Sequence, residues 1–230
     1  MTCGTPLEYL TRAATLNCDL CGREQRAHIR CPDGHFLCDA CCNADSLKSF
    51  KRTALSSSSM DPIQLAEQML RDPRLAMLGC QHAYIAAGAL LGALRNKGAF
   101  NIKEAEVDEV FSRLDRQAIG GYCGLTGVCG ITPAIGAVFA LLTGSKCGTN
   151  GEQRITMEAA TRTSSAITGL TGPSCCKAYM LASIAVAADY LAEALEVVLP
   201  ISAPSACEFS SAHPHGCREG QCPYFPGEKR

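Results

Sequence analysis

Grouped cysteines constrain this chain more than any other feature of its sequence. Sixteen of its 230 residues are cysteine, and most of them fall near the N-terminus, in glycine-rich corners between apolar segments, or near the C-terminus. The stretch from Met1 to Pro6 lacks the basic and apolar regions of a signal peptide. We therefore expect a cytoplasmic, reducing location, where paired cysteines favour metal ligation or redox chemistry over structural disulfides.

The rest of the composition describes a globular protein with a substantial core. Hydrophobic residues make up 47% of the chain, which argues against global disorder. The net charge of −1 and the absence of tryptophan argue against a nucleic-acid-binding role. The most apolar segment, 178–199, is interrupted by Asp189, Glu193 and Glu196, so we expect a buried helix and no membrane span.

Helical patterns dominate the sequence beyond residue 60. Asp61 and Pro62 form an N-cap followed by a favoured first helical residue. Apolar and amphipathic segments follow, without useful runs of alternating β-branched residues. The predicted helices cover about 83–95, 101–120, 133–142, 155–167 and 177–198.

The pattern before residue 60 differs. Thr5-Pro6-Leu7-Glu8 has a capping-box pattern that predicts a short helix over Pro6–Leu16. A polar break at Ser56–Ser59 suggests a boundary. The sequence thus predicts an all-α protein with two parts. Residues 1–56 hold the N-terminal helix and a small zinc knuckle, and residues 60–230 form a bundle-like helical domain with a loop-rich C-terminal tail.

Two Cys-x-x-Cys pairs define the knuckle. Cys18 and Cys21 form the first pair, Cys38 and Cys41 form the second, and sixteen residues separate them. This spacing is typical of a four-thiolate zinc site, because a two-residue gap lets both sulfurs of one turn reach a tetrahedral ion at about 2.3 Å. Gly22 permits the tight backbone that such a turn needs.

Two more metal-ligating side chains, Cys31 and His35, lie between the pairs. With them the segment resembles the first six ligands of a RING-type cross-braced finger, but no further Cys-x-x-Cys follows before the predicted boundary. Two interpretations stay open. Cys31 and His35 join Cys42 or Cys3 on a second ion, or they are not ligands.

Seven other cysteines lie at turns and predicted helix starts: Cys123, Cys129, Cys175, Cys176, Cys207, Cys217 and Cys222. Glycine-rich turns and helix N-termini direct backbone N–H groups at anions, which stabilises thiolates and the sulfides of a cluster. Four thiolates hold a [4Fe–4S] cluster, and three leave one iron open to a substrate, so we predict such a cluster here. Buried structural thiols are the alternative.

Two residues near these cysteines are candidates for chemistry. Lys177 follows the vicinal cysteines and is a candidate base, with a surface or capping lysine as the alternative. His82 lies at a predicted helix start and is a candidate ligand, with a histidine bonded to backbone as the alternative.

Over about residues 61–228 the chain resembles an uncharacterised cysteine-rich domain of unknown function from archaea and anaerobic bacteria. The matching motifs are Cys80-Gln81-His82, Cys123-Gly124-x2-Gly127-x-Cys129-Gly130, Gly172-Pro173-x-Cys175-Cys176-Lys177 and Cys217-x4-Cys222-Pro223-Tyr224-Phe225. That domain occurs alone or joined to methyltransferase-like or radical-SAM-type domains. Its members more often have a second histidine after the position of His82, where this chain has Ala83.

A further similarity connects the glycine–cysteine turns to the iron–sulfur L-serine dehydratases and L-cysteine desulfidases. That similarity implies a cluster held by three cysteines, with the fourth iron acting as a Lewis acid. It favours sulfur transfer or C–S/C–O elimination on a small sulfur- or hydroxyl-bearing substrate. The alternative is a non-catalytic module that serves a methyltransferase or radical-SAM partner enzyme. Thiol–disulfide exchange through Cys175 and Cys176 is disfavoured, because adjacent cysteines form strained rings. The sequence leaves enzymatic activity and homo-oligomerisation open.

Overall fold

Helices form most of the protein. The computed structural model describes residues 5–170 and 172–227, and within these ranges the chain forms two strands and eight helices. In chain order they are β1 (Glu8–Asn17), β2 (Glu24–Arg30), α1 (Asp39–Ser56), α2 (Pro62–Leu70), α3 (Gln81–Lys97), α4 (Glu104–Leu114), α5 (Cys123–Thr126), α6 (Ile131–Thr143), α7 (Gly151–Gly169) and α8 (Cys176–Leu195). Two 3-10 turns, Ser210–Ala212 and Glu219–Gln221, lie in the C-terminal tail.

The predicted N-terminal helix over Pro6–Leu16 is wrong. That segment forms β1, which pairs antiparallel with β2 around an irregularity between Tyr9 and Ala14. A capping box is a local preference worth about 1 kcal/mol, whereas pairing with β2 satisfies backbone groups along the whole strand. The all-α prediction is therefore corrected to a predominantly helical fold with a small two-stranded sheet.

Helix α3 is the centre of the helical part. Fourteen consecutive residues, Gln81–Leu94, are buried, and α1, α2, α4, α6 and α8 pack around them. The close approach of α1 depends on Gly92, since a Cβ there would lie 3.0 Å from the Ala54 carbonyl oxygen and 3.1 Å from its Cα. Helix α7 packs across α6 and α8 on the outside. The alanine- and glycine-rich sequence of α3 thus lets five helices reach one axis.

Helix α1 was not predicted from the sequence. Its buried positions are Asn43, Ser46, Phe50 and Ala54, so half of its inward face is polar and the apolar periodicity is weak. Phe50 and Ala54 nevertheless belong to the same hydrophobic core as α3. Outside the core, Lys51 lies 2.9 Å from carboxylate oxygens of Glu104 and Asp108 at the start of α4. The predicted boundary at Ser56–Ser59 stays a prediction.

The predicted helix starts at Asp61 and around Lys177 are both present. The Asp61 carboxylate accepts hydrogen bonds from the backbone of Ile63 at 2.8 Å, of Gln64, and of Ser202 in the C-terminal tail at 2.8 Å. Helix α8 is the one helix of the described residues long and apolar enough to cross a membrane, and half of its most apolar stretch is buried within the protein. Core helices commonly meet the same criterion.

The hairpin formed by β1 and β2 lies against the helical part. The Ile29 side chain contacts the backbone of Gly121, where a Cβ would lie 2.9 Å from Cγ1 of Ile29, and the φ of +72° there also favours glycine. The His28 and Tyr122 rings lie 5.7 Å apart between centroids. The loop that leads into α5 is therefore in contact with the N-terminal hairpin.

We expect alanine at Gly92 and at Gly136 to have opposite effects on stability. Both glycines are interior helix positions, where alanine is intrinsically favoured by about 1 kcal/mol. A Cβ at Gly136 meets its nearest neighbour at 3.8 Å, so Gly136→Ala should raise the free energy of unfolding by up to ~1 kcal/mol. Gly92→Ala places a methyl group against the α1 backbone, so it should lower the free energy of unfolding by about 1–3 kcal/mol. Denaturant unfolding measures both, and equal effects would contradict the close α1–α3 packing.

Candidate metal centres

Four cysteine sulfurs converge beside the hairpin. The Sγ atoms of Cys18, Cys21, Cys38 and Cys41 all lie within 4.8 Å of one another, and those of Cys21 and Cys38 are 3.7 Å apart. Four thiolates in a tetrahedron around zinc at ~2.3 Å would be about 3.8 Å apart. This set, which we call the N-terminal quartet, therefore has the dimensions of a single-ion site, and the four predicted ligands are together.

Turn geometry explains how the sequence builds the quartet. Cys18 and Cys21 lie in the turn between the strands, where Gly22 adopts a φ of +69° and donates its N–H to the Cys18 carbonyl at 2.8 Å. Cys38 and Cys41 lie at the start of α1. The two segments are joined through Asp19 and Phe36, since the backbone N–H of each finds an acceptor on the other.

The quartet already favours ionisation at one sulfur. Backbone N–H groups, first that of Cys38 and then that of Cys21, lower the pKa of the Cys18 thiol to about 6 against the effect of burial. Hydrogen bonds with Cys21 and Cys38 raise the pKa of the Cys41 thiol to about 12. The other thiols of the quartet keep their protons, and a bound cation would displace those protons.

A second set of ligand atoms lies between the two Cys-x-x-Cys pairs. The Cys31 Sγ atom is 3.7 Å from Nδ1 of His35 and 4.0 Å from a carboxylate oxygen of Asp33, and the three ligand atoms lie within 4.8 Å of one another. Cys31 and His35 are thus together as one sequence interpretation requires. Asp33 was missed, although a carboxylate between two ligands is a recognisable signal.

The two cysteines proposed to complete that second site have different outcomes. Cys42 is not part of the three-ligand set, and its sulfur accepts a hydrogen bond from the Gln81 side chain at 3.8 Å. Cys3 lies outside the described residues. A second ion at Cys31 and His35 therefore stays a prediction, with Asp33 as an additional ligand.

Four further cysteines lie where helices begin, and we call them the helix-start group. Cys80 is the N-cap of α3, Cys123 opens α5, Cys129 precedes α6 and Cys176 opens α8. Helix α3 packs against both α6 and α8. Burial, followed by the charges of Cys129 and Cys123, raises the pKa of the Cys176 thiol to about 12, although the Gly79 N–H donates to that sulfur. A cation would have to displace these protons to bind.

Cys80 is the member of this group that the sequence analysis did not select as a ligand. Burial raises the pKa of its thiol, and the charges at Cys176 and Cys123 act in the same direction. Burial also raises the pKa of Cys129 to about 11, against a hydrogen bond from the Ile131 N–H. The available signal was the Gly79–Cys80 pair, which matches the glycine–cysteine pattern of the other helix starts.

The remaining predicted cysteines line a separate cavity. Cys175, Cys207, Cys217 and Cys222, which we call the tail group, face a space of about 120 Å³ between α2, the first turn of α8 and residues 205–225. We call this space the tail cavity. Cys176 is not part of its described lining. The seven cysteines named as candidate cluster ligands are therefore divided between two places, and vicinal Cys175 and Cys176 belong to different groups.

The described helical part has no ligand set as compact as those near the N-terminus. Among residues 5–170 and 172–227, just two groups of three or more ligand atoms lie within 4.8 Å of one another, and both are N-terminal. No three sulfurs of the helix-start group and no three of the tail group meet that limit. Wider spacing suits a polynuclear cluster, in which each thiolate binds a different iron. The assignment of these cysteines to a cofactor stays a prediction.

A buried histidine–lysine pair lies between the two cysteine groups. Nδ1 of His82 is 2.9 Å from the Gly79 carbonyl oxygen, and its Nε2 is 3.4 Å from Nζ of Lys177. A carbonyl can only accept, so Nδ1 donates and Nε2 accepts from the lysine. The structure thus places His82 as a histidine bonded to backbone. Burial lowers the pKa of Lys177, against the charges of Cys175 and Cys207.

Comparison with known proteins identifies one relationship. The sequence profile of a family of unknown function matches residues 50–225, which confirms the predicted resemblance to a cysteine-rich domain of unknown function. No curated protein and no solved structure matches the chain. The association with methyltransferase or radical-SAM-type domains and the similarity to serine dehydratases stay predictions.

We expect His82 to stay neutral, protonated on Nδ1, from about pH 5 to 8. Burial and the adjacent lysine charge lower its pKa to about 3, below the unfolded value of about 6.5. Its contribution to stability is therefore present above pH 6.5 and is lost as the pH falls toward 3. Nitrogen-15 NMR of the imidazole ring reports both tautomer and charge. A titration midpoint near 6.5 would contradict the buried geometry.

Proposed function

We propose that this chain, which belongs to the family of unknown function DUF5714, is a metalloprotein with a structural zinc ion near its N-terminus and an iron–sulfur cluster in its helical part. One observation carries the proposal: four cysteine sulfurs lie within 4.8 Å of one another. Ionised thiols at such separations repel one another unless a cation lies between them. The paired Cys-x-x-Cys spacing supports zinc as that cation.

Zinc in the N-terminal quartet has a structural role in this proposal. Four protein ligands fill a tetrahedral site and leave no position for a substrate. The ion would join the turn between β1 and β2 to the start of α1. A two-stranded hairpin is marginally stable by itself in water, so it needs such a connection. The hairpin then stays in contact with the loop at Gly121–Tyr122.

We expect Cys38→Ser to lower the bound zinc by about one ion per chain, because serine is a poor zinc ligand. The β1–β2 hairpin should lose its amide protection from hydrogen exchange, whereas α3 should keep its protection because its core contacts lie elsewhere. Cys147→Ser is the matched control, since Cys147 is exposed and belongs to none of the groups. Unchanged zinc in Cys38→Ser refutes the site, and iron in place of zinc refutes the identity of the ion.

The helix-start group fits an iron–sulfur cluster in donor type and surroundings. Its four thiols come from the beginnings of four helices, and the sulfurs of Cys129 and Cys176 accept backbone N–H hydrogen bonds. Such hydrogen bonds and helix N-termini stabilise anionic sulfur. No three of these sulfurs lie within 4.8 Å of one another, which is compatible with thiolates distributed over several irons.

The cluster in this proposal serves sulfur transfer or C–S/C–O elimination on a small substrate. When bound by three thiolates, a cluster of this kind offers one iron as a Lewis acid. Lys177 supplies the base: it is buried, its pKa is lowered, and His82 positions its Nζ through Nε2. A neutral amine there could take a proton from a substrate and be shielded from water. Cys123, Cys129 and Cys176 are the predicted ligands.

One observation favours the alternative of a non-catalytic partner module. Cys80 lies in the same group and is near enough to the other thiolates for their charges to raise its pKa. If Cys80 is a ligand, all four irons are occupied by protein, and the cluster would transfer electrons and not bind substrate. The choice between enzyme and module therefore depends on whether Cys80 binds the fourth iron of the cluster.

We expect the protein, purified without oxygen, to contain iron and acid-labile sulfide, and Cys129→Ser to lower both. Cys147→Ser should leave both unchanged. Cys80→Ala separates the two roles, because three remaining thiolates still hold an enzyme-type cluster. An unchanged EPR signal in Cys80→Ala supports the enzyme, and an altered signal with loss of one iron supports the module. Absence of iron and sulfide from the wild type refutes both.

A further inference from the structure

We propose that the tail cavity holds a second iron–sulfur cluster, ligated by Cys175, Cys207, Cys217 and Cys222. This inference goes beyond the cluster proposed at the helix starts and stands without it. It rests on three features of the cavity: four thiols in its wall, two buried cations with no carboxylate partner, and an internal space too large for one metal ion.

The C-terminal tail is attached so that its cysteines face the start of α8. The Cys207 N–H donates to the Tyr224 carbonyl at 2.7 Å, which joins the two ends of the tail. Nε2 of His213 donates to the Ser174 carbonyl at 3.0 Å, and Nη2 of Arg218 donates to the Pro173 carbonyl at 2.6 Å. The two acceptors belong to the two residues before Cys175. Three tail cysteines are thereby held around the same cavity as the cysteine at the N-cap of α8.

Two buried positive groups line this cavity. Lys177 is 4% exposed and Arg218 is 9% exposed, and within the described part of the chain no carboxylate lies within 4.0 Å of either charge. Nη1 of Arg218 is fully buried and has no hydrogen-bond partner among the described residues. The Lys177 ammonium lies 4.1 Å from the centroid of the Phe209 ring. A buried positive charge without a counter-ion lowers the stability of the folded protein, unless an anion lies beside it.

Four thiolates around a metal core supply that anion. A [4Fe–4S] core in its common doubly positive state, bound by four thiolates, keeps two negative charges. Arg218 carries one positive charge, and Lys177 carries a second one whenever it is protonated, that is, in the state before it acts as a base. The two acidic residues of the lining do not fill this role, because neither the Glu67 nor the Glu208 carboxylate lies within 4.0 Å of the Lys177 or Arg218 charge. Cluster and buried cations would therefore neutralise one another.

The dimensions of the cavity indicate a cluster and not a single ion. No three of the tail sulfurs lie within 4.8 Å of one another, whereas the N-terminal quartet meets that limit. The space of about 120 Å³ exceeds what one ion with four sulfurs would fill, since a cavity of about 15 Å³ already admits a water. Backbone N–H groups of Phe209 and Glu219 donate to the sulfurs of Cys207 and Cys217 at 3.4 and 3.3 Å. Such bonds are typical around cluster thiolates.

Metal analysis of paired cysteine variants tests the inference. The full chain is produced with added iron and sulfide, purified without oxygen, and analysed for iron, sulfide and zinc. Cys207→Ser with Cys222→Ser should lose about half of the iron and sulfide and keep its zinc and helix content. Cys123→Ser with Cys129→Ser should lose the other half, and Cys147→Ser should lose none.

The outcomes separate this inference from the proposed function. If the tail variant keeps all of its iron, the tail cluster is refuted and the helix-start cluster stands. If the tail variant loses all of the iron and the helix-start variant loses none, the tail cluster is supported and the helix-start cluster is refuted. If the tail variant loses zinc and not iron, the cluster is refuted in favour of a single ion.

A charge-removing variant gives a test that does not alter the ligands. Arg218→Met removes a buried positive charge beside the cluster, so the reduction potential of one EPR-detected cluster should become more negative. Arg218→Lys keeps the charge and should therefore keep most of the wild-type potential. Arg71→Met is the control, because Arg71 lies at the exposed rim of the same cavity and water screens its charge. An unchanged potential in Arg218→Met refutes the charge-balance argument.

Discussion

The enclosure of α3 is the constraint on which the rest of the structure depends. A helix buried over fourteen consecutive residues must be surrounded, and small residues such as Gly88 and Gly92 let neighbouring helices approach its backbone. Helices α6 and α8 pack on it, and both begin near a cysteine, as α3 does. The packing of apolar surfaces thus brings thiols from distant parts of the sequence toward one end of the helical part.

The N-terminal hairpin is joined to this end through ring and side-chain contacts. Ile29 lies on Gly121, and the Tyr9 ring lies 4.8 Å from the His215 ring of the tail. Burial raises the pKa of Tyr9, and the charges at Cys176 and Cys123 add to the effect. The hairpin is therefore close to the helix-start group.

The sequence predicted much of the helical part because its signals are local. Asp61 before Pro62 is a helix start in almost any context, and the apolar stretch around Leu90 and Leu91 is long enough to indicate a buried helix. The hairpin was missed because strand pairing depends on a partner elsewhere in the chain. Helix α1 was missed because its buried face includes Asn43 and Ser46, which carry no apolar signal.

The difference between local and long-range signals also explains which sites were predicted. Spacing alone identified the N-terminal quartet, since its ligands lie in two short turns. The division of the other cysteines was not predictable, because it depends on how the tail folds back onto the residues before α8. Cys80 and Asp33 were not selected as ligands from the sequence. Each is a single residue whose partners in the chain are distant or of another type, so a search for cysteine pairs passes over it.

The adjacency of Cys175 and Cys176 limits how the sequence can vary. Consecutive Cα atoms are about 3.8 Å apart, so the helix-start group and the tail group each take one cysteine from the same short piece of backbone. One residue inserted between the two cysteines would rotate one of them relative to the other by about 100° around the axis of α8. Homologous chains that keep both groups should therefore tolerate insertions in the loop before Cys175 or in the tail beyond α8, and none at the junction of the two cysteines.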